Sequence, residues 1–271
     1  LPIPGMGYGT YLAPDDTSGT RSILDALEAG YRLIDTASVY GNEKTVGRAV
    51  RESSIPREEI FITSKVWNTD QGYESTLSAF DASLNRLETD YLDLYLIHWP
   101  IPAGYEKDYR DLNRETWKAM ERLYKEGQAR AIGVSNFLPR HLEALMEQAD
   151  TIPMVNQLEI NPRYHQTEAV AFCREHGILV ESWGPLARGG VLEEPVLRRI
   201  ADKHKKSVAQ ICLRWELQRG IVPLPKSVHA DRIKANLDVF GFSLDGEDMA
   251  LIDTLDAPGH YSIHPDHLSE E

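Results

Sequence analysis

The sequence alternates short β-rich runs with amphipathic helical segments, and this alternation recurs along the whole chain. Strands are predicted at 6–10, 33–35, 60–65, 92–98, 131–134, 154–159, 179–182 and 221–224, each followed by helical sequence. Gly30, Gly127, Gly177 and Gly220 separate helical segments from the next strand, as glycines at helix ends do. Eight such units predict a single-domain (β/α)8 TIM barrel over residues 1–271.

A doubly wound sheet of two halves is the alternative fold for alternating strands and helices. Its dinucleotide-binding form carries the fingerprint G-x-G-x-x-G after the first strand. Gly5, Gly7 and Gly9 stand at alternate positions instead, without a third glycine at the required spacing. They are better interpreted as a strand whose backbone packs closely against its neighbours.

Charge and cysteine content limit the partners and the compartment. The net charge of −13 argues against nucleic acid or an anionic membrane as the main partner, because both would repel the chain. Cys173 and Cys212 form no C-x-x-C pair and are interpreted as buried free thiols of a cytoplasmic protein. The sequence also lacks an apolar run of membrane-spanning length and a basic-then-apolar leader at its start.

Three neighbouring strands end in side chains that can take part in chemistry. Asp35 ends the second predicted strand, Lys65 the third and His98 the fourth, while Tyr40 lies in the loop after Asp35. Because barrel enzymes place their sites at the carboxyl ends of the strands, we expect these four side chains to meet. Each alone has an ordinary interpretation, as a capping acid, a solvated lysine, a core histidine or a loop aromatic, but together they favour a site.

The four residues suit proton transfer. A tyrosine can act as a general acid if its pKa, ordinarily about 10, is lowered toward the working pH. Lys65 is predicted to lower the pKa of Tyr40, and Asp35 to hold Lys65 in place. An aldolase that uses Lys65 as a Schiff-base nucleophile is an alternative for the same residues.

Five spaced blocks resemble the signature of the aldo-keto reductase superfamily. They are DTASVYGNE at 35–43, Lys65, LIHWP at 96–100, GVSNF at 133–137 and PKS at 225–227. Two further blocks, ESWGPL at 181–186 and NLDVF at 236–240, are similar to the bacterial branch of 2,5-diketo-D-gluconate reductases.

The resemblance implies carbonyl reduction by NADPH. Tyr40 would give a proton to the forming alkoxide, Lys65 and Asp35 would tune it, and His98 would orient the carbonyl oxygen. Chemistry supports this assignment, since hydride arriving at carbon leaves negative charge on oxygen that two donors can stabilise. The same fold also serves as a regulatory subunit of potassium channels, which is a rival from another functional class.

The resemblance also implies where the cofactor and substrate bind. The nicotinamide would contact Ser135, Asn136, Gln157 and the ring of Trp183, and the 2′-phosphate would contact Lys226, Ser227 and Arg232. The full cofactor set implied is Ser135, Asn136, Gln157, Trp183, Gly184, Leu186, Lys226, Ser227, Val228, Arg232 and Asn236. The substrate pocket is expected from Tyr11, Trp67, Asn68, His98, Trp99 and the tail at 260–264.

This pocket would admit sugars, keto acids and aromatic aldehydes alike, because the fold does not choose among them. We expect no metal, and a monomer is the state that the resemblance favours.

Overall fold

The computed structural model describes residues 2–257 and 264–266, and its centre is a parallel β-sheet. The strands β1 to β8 are Gly7–Gly9, Leu33–Asp35, Phe61–Val66, Leu94–Ile97, Ile132–Ser135, Val155–Glu159, Leu179–Trp183 and Val222–Pro223. Each strand pairs in parallel with the next one in the chain. The Gly9 N–H donates to the carbonyl of Pro225 at 3.1 Å and joins the two edges of the sheet. The predicted (β/α)8 barrel is confirmed.

Helices surround the barrel and connect its strands. Helices α1 to α10 are Thr17–Ala29, Glu43–Glu52, Tyr73–Leu87, Tyr109–Lys125, Pro139–Met146, Thr167–Glu175, Pro195–His204, Val208–Gln218, Ala230–Leu237 and Gly246–Asp253. Helix α4 begins at Tyr109, earlier than the start near residue 114 that the sequence predicted. Among residues 2–257 and 264–266, no helix is both long and apolar enough to cross a bilayer.

Local sequence explains where these helices begin and end, as α1 illustrates. The Asp16 carboxylate accepts hydrogen bonds from the N–H groups of Ser18 and Gly19 at 2.7 and 3.1 Å, which satisfies donors that have no partner inside the helix. Gly30 ends the helix with φ at 114°, a conformation that side chains with a Cβ rarely adopt. The chain thereby leaves each helix at a defined residue and enters the next strand in register.

The barrel encloses an apolar core of its own, separate from the larger core between strands and helices. We call this inner core the apolar plug, formed by Leu33, Phe61, Leu94, Leu96, Ala131, Val155 and Leu224. A Cβ on Gly7 would come within 2.3 Å of the Leu33 side chain and 2.5 Å of Leu224, so β1 needs glycine there. The close backbone packing predicted for the glycines of β1 is therefore confirmed at Gly7.

A polar layer lies inside the barrel directly above the apolar plug. It consists of Asp35, Lys65, Gln157 and Glu181, each two residues or more further along a strand that also contributes to the plug or packs against it. Side chains on a strand alternate between its faces, which places these residues on the inner face. The layer stands at the carboxyl end of the strands, where barrel enzymes carry out their chemistry.

Candidate active site

Lys65 and Asp35 form a buried ion pair at the centre of the site. The Lys65 ammonium donates to both carboxylate oxygens of Asp35 at 2.8 Å and to the carbonyl of Thr36 at 2.9 Å. The exposed fraction is 0% for Lys65 and 4% for Asp35. All three ammonium donors are thus satisfied, and the cation is held in one position.

Tyr40 and His98 lie next to this pair. Tyr40 ends a short 3-10 turn, Ser38–Tyr40, and the centre of its ring is 5.1 Å from the Lys65 ammonium. His98 follows β4 directly and meets the Tyr40 ring edge-on, with ring centres 5.7 Å apart. The structure therefore brings together Asp35, Tyr40, Lys65 and His98.

Burial and charge set the protonation states of these groups. Burial raises the pKa of Tyr40, and the nearby Lys65 ammonium only partly offsets that effect. The net direction is therefore opposite to the lowering predicted from the sequence, although Lys65 acts in the predicted sense. Burial and Lys65 together hold the pKa of His98 well below its usual range. At neutral pH, Tyr40 carries its proton and His98 is an uncharged imidazole.

Lys65 remains charged in spite of its burial. Burial, the largest single effect, would lower the pKa of Lys65, but Asp35, Tyr40 and Glu181 together outweigh it and raise that pKa above its ordinary value. The site therefore contains a permanent cation beside a phenol that still has its proton.

Asn136 connects the predicted nicotinamide residues to His98. Its side-chain NH2 donates to the carbonyl of His98 at 3.0 Å and to Oγ of Ser135 at 3.1 Å, and its oxygen accepts from Trp183 Nε1 at 2.9 Å. Its φ of 64° lies in the left-handed region that asparagine tolerates. The indole of Trp183 also meets Trp99 edge-on, with ring centres 6.5 Å apart.

Gln157 lies deeper, within the polar layer, where Ser135 Oγ donates to its backbone carbonyl at 2.9 Å. Its side-chain NH2 donates to Asp35 at 2.8 Å and to Glu181 at 2.9 Å. Glu181 was not singled out from the sequence as a functional residue. The signal in the sequence that could have found it is its position two residues before Trp183, on the same face of β7.

The predicted phosphate residues lie apart from this cluster, where β8 leads into α9. Lys226, Val228 and Arg232 are exposed, whereas Ser227 and Asn236 are buried. The Lys226 ammonium donates to the carbonyl of Leu12 at 3.3 Å, and Lys226 and Arg232 have no carboxylate partner among the described residues. Gly184 and Leu186 follow β7 on the loop after Trp183.

Three of the predicted pocket residues, Tyr11, Trp67 and Trp99, contact Tyr40 or His98. The Tyr11 ring centre is 5.1 Å from that of Tyr40, the Trp67 ring is 5.1 Å from His98, and Trp99 stacks with His98 at 6.4 Å. Oδ1 of Asn68 is buried without a hydrogen-bond partner in the described structure.

Of the predicted tail, His260 lies outside the described residues. His264 is described, and its ring lies 3.7 Å from the carboxylate of Asp266, which also contacts His141 of α5.

Comparison with known proteins gives the same fold and family. The model of the Aldo/keto reductase family matches residues 5–257. Glyoxal reductase of Bacillus subtilis (strain 168) is 51% identical over 266 residues, which cover 98% of this chain and 94% of that protein.

Solved structures agree. A point variant of Gox0644 in complex with NADPH superposes with a TM-score of 0.92 at 41% identity, covering 99% of this chain and 95% of that one. A candidate 2,5-diketo-D-gluconic acid reductase B gives a TM-score of 0.90 at 34% identity, covering 96% of this chain and 90% of that one. The chain therefore belongs to the aldo/keto reductase family, the NADP-dependent oxidoreductases that act on carbonyl groups.

Proposed function

We propose that this protein reduces aldehydes and ketones with NADPH, and that Tyr40 is the proton donor. The observation that carries the proposal is the contact between a protonated phenol, a buried ammonium and a neutral imidazole at the carboxyl end of the barrel. The hydroxyl of Tyr40 and an imidazole N–H of His98 can both point to one carbonyl oxygen. Such donors stabilise the negative charge that develops on that oxygen.

The chain's residues then complete the reaction. When bound, NADPH supplies the hydride that reaches the carbonyl carbon, and the carbonyl electron pair moves to oxygen. The Tyr40 hydroxyl gives its proton to that oxygen, which yields the alcohol and leaves a phenolate. Lys65 stabilises the phenolate through its positive charge, and Asp35 keeps Lys65 in position.

The residues near β8 and β7 fit the cofactor. Lys226 and Arg232 provide two exposed cations without carboxylate partners in the described part of the chain, which suits a phosphate group. Trp183 offers its indole face next to Asn136 and Trp99, and can stack on a planar ring. We assign the 2′-phosphate to the first group and the nicotinamide to the second.

The state of Lys65 argues against the aldolase alternative. A Schiff-base lysine must lose its proton to attack a carbonyl, whereas Asp35 raises the pKa of Lys65. The ammonium is also occupied by three hydrogen bonds. A regulatory subunit would need none of this proton-transfer geometry, so the structure favours an enzyme over both alternatives.

For the substrate, we propose neutral aldehydes and dicarbonyls ahead of keto acids. Three of the five predicted pocket side chains are aromatic, Asn68 is neutral, and His98 is uncharged because its pKa is low. A substrate carboxylate therefore finds no counter-ion among these five. The glyoxal reductase of Bacillus subtilis, at 51% identity, acts on a small uncharged dicarbonyl by its name and supports this choice.

A substrate series tests the function. We expect steady consumption of NADPH, followed by absorbance over many turnovers, with glyoxal, methylglyoxal and aromatic aldehydes. Keto acids of similar size should give a lower kcat/KM. Borohydride trapping of protein with substrate but without nicotinamide should give no adduct on Lys65. A failure to turn over any of these carbonyls would favour the regulatory subunit.

We also propose that the protein is a cytoplasmic monomer. Cys173 and Cys212 are both buried and free, which suits a reducing compartment. Light scattering of the purified protein should give the mass of one chain, 30.6 kDa. Twice that mass would contradict the monomer, and recovery of the protein outside the cytoplasmic fraction of cells would contradict the compartment.

A further inference from the structure

Glu181 is a buried carboxyl group of the polar layer that has no part in the mechanism above. It lies on β7 and its exposed fraction is 0%. Its Oε2 accepts a hydrogen bond from Gln157 Nε2 at 2.9 Å, whereas its Oε1 is buried with no partner in the described structure. A buried carboxylate with a single hydrogen bond is costly, so this site favours a carboxyl group that keeps its proton.

The amide of Gln157 joins Glu181 to the catalytic ion pair. The same nitrogen donates to Oδ2 of Asp35 at 2.8 Å. An NH2 group has two hydrogens, so each carboxyl group receives one of them. Asp35 also accepts from Lys65, so the amide of Gln157 links Glu181 to the ion pair, whereas Lys65 acts on Glu181 through its charge alone. Because the two groups are so close, the charge of Asp35 affects the protonation of Glu181.

The charged groups that face Glu181 are Asp35 on β2 and Lys65 on β3. The strands beside β7 contribute uncharged partners, Gln157 on β6 and Val222 on β8. Burial and then Asp35 raise the pKa of Glu181 to about 7, although the hydrogen bond from Gln157 and the charge of Lys65 both oppose this rise. Its charge therefore changes close to neutral pH.

We propose that Glu181 is a positioning residue of the reaction: its charge governs how strongly Lys65 stabilises the phenolate of Tyr40. This inference depends on the proposed roles of Tyr40 and Lys65. While Glu181 holds its proton, Asp35 is the one anion of the polar layer that competes for the ammonium. Once Glu181 ionises, a second anion competes, and the phenolate becomes less favourable. Alcohol oxidation needs that phenolate, so the ionised form biases the enzyme toward carbonyl reduction.

The variant Glu181→Gln tests this proposal. Its amide oxygen can still accept from Gln157, but the side chain never ionises. The pH dependence of kcat/KM is measured for carbonyl reduction and for oxidation of the matching alcohol. At the alkaline limb that reports Tyr40, wild type carries the Glu181 charge and the variant does not. We expect the limb to move to lower pH by roughly 0.5–1 pH unit in the variant.

Glu216→Gln is the matched control. Glu216 of α8 is equally buried, and it accepts from the Ser182 hydroxyl on the outer side of β7, away from the polar layer. The alkaline limb of kcat/KM in Glu216→Gln should stay at the wild-type pH. A limb that moves in both variants, or in neither, overturns the proposal. Normal turnover in Tyr40→Phe would instead overturn the proposed function, so the two failures are distinguishable.

A second measurement covers the case in which Glu181→Gln does not fold. Carbon-13 NMR of glutamate-labelled wild type follows the buried carboxyl groups. Single Gln variants of the other buried glutamates of the described structure, Glu43, Glu121, Glu159 and Glu216, assign their signals and leave that of Glu181. In Asp35→Asn the neighbouring charge is lost while the shape is kept. The titration midpoint of Glu181 should then fall, because Asp35 raises its pKa. An unchanged midpoint would show that the two groups are not coupled, and the proposal would be wrong.

Discussion

The catalytic cluster and the phosphate residues are two ends of one proposed site, and they are built differently. Lys65 and Asp35 are buried and fixed by hydrogen bonds of 2.8 Å. Lys226 and Arg232 are exposed, and the described structure gives Arg232 no ion pair. Stabilising a charge that exists only in the transition state requires donors fixed in advance, whereas binding a permanent charge on a ligand does not. The first end should therefore control rate, and the second affinity.

The largest expected effect is that of Tyr40→Phe on kcat. It removes the acid and leaves the ring, so kcat should fall about 10²–10⁴-fold while the Kd for NADPH stays near that of wild type. Single-turnover kinetics and fluorescence titration with NADPH measure the two quantities. Near-normal turnover in this variant would show that Tyr40 is not the proton donor.

Lys65→Met should lower kcat through its effect on Tyr40, and by somewhat less than Tyr40→Phe does. Without the ammonium, the phenolate loses its stabilising charge, so most turnover should disappear. The alkaline limb of the residual activity should move to higher pH, because Lys65 lowers the pKa of Tyr40.

Lys65→Met would also leave the buried carboxylate of Asp35 without its partner. Breaking a buried pair in this way typically lowers the free energy of unfolding by about 3–5 kcal/mol. Thermal unfolding must therefore accompany the kinetics. A limb at the wild-type pH in folded protein would mean that the lysine acts in another way.

Arg232→Ala should change affinity and leave the rate alone. A charge-assisted hydrogen bond contributes roughly 1.5–3 kcal/mol, so the Kd for NADPH should rise on the order of 10–100-fold. Binding of NADH, which lacks the 2′-phosphate, should hardly change. Lys234→Ala is the control, since Lys234 is an exposed cation on the same helix, α9. Equal affinity of wild type for NADPH and NADH would contradict the assignment of a phosphate site here.

The smallest expected effect is that of salt concentration, which should change NADPH binding at the phosphate residues but not the rate at the catalytic cluster. Raising the salt concentration from about 0.05 to about 0.5 M screens exposed charges and hardly affects buried ones. The Kd for NADPH should increase several-fold, while kcat at saturating NADPH should change little. A fall in kcat that matches the rise in Kd would show that the catalytic ion pair is open to solvent.

The sequence predicted the architecture and the catalytic cluster because both follow from order along the chain. Eight strand–helix units without a dinucleotide fingerprint favour a barrel, and side chains at the ends of its strands then meet without further information. Asp35, Lys65 and His98 were found in this way. The start of α4 at Tyr109 was missed, since a loop rich in Tyr, Pro and Asp carries no clear helical period.

Other features depend on how deeply a side chain is buried and on which distant residues it contacts, and the sequence does not contain this information. The net direction of the Tyr40 pKa was predicted wrongly, because the cost of burial depends on packing around the ring. Glu181 was overlooked for the same reason. Its position on an inward face indicates burial, but its link to Asp35 through Gln157 depends on which side chains of β2, β6 and β7 meet across the inside of the barrel.

The apolar plug determines from which end of the barrel the site exchanges protons with solvent. Leu33, Phe61 and Leu224 are among the hydrocarbon side chains that fill the barrel below the polar layer, and close packing of such side chains disfavours water there. In the proposed mechanism, the proton that Tyr40 gives to the substrate in each turnover is therefore replaced through the mouth by which the substrate enters. While the product alcohol occupies that mouth, replacement has to wait. A solvent deuterium isotope effect on the steady-state rate would thus report the departure of product as well as the proton transfer itself.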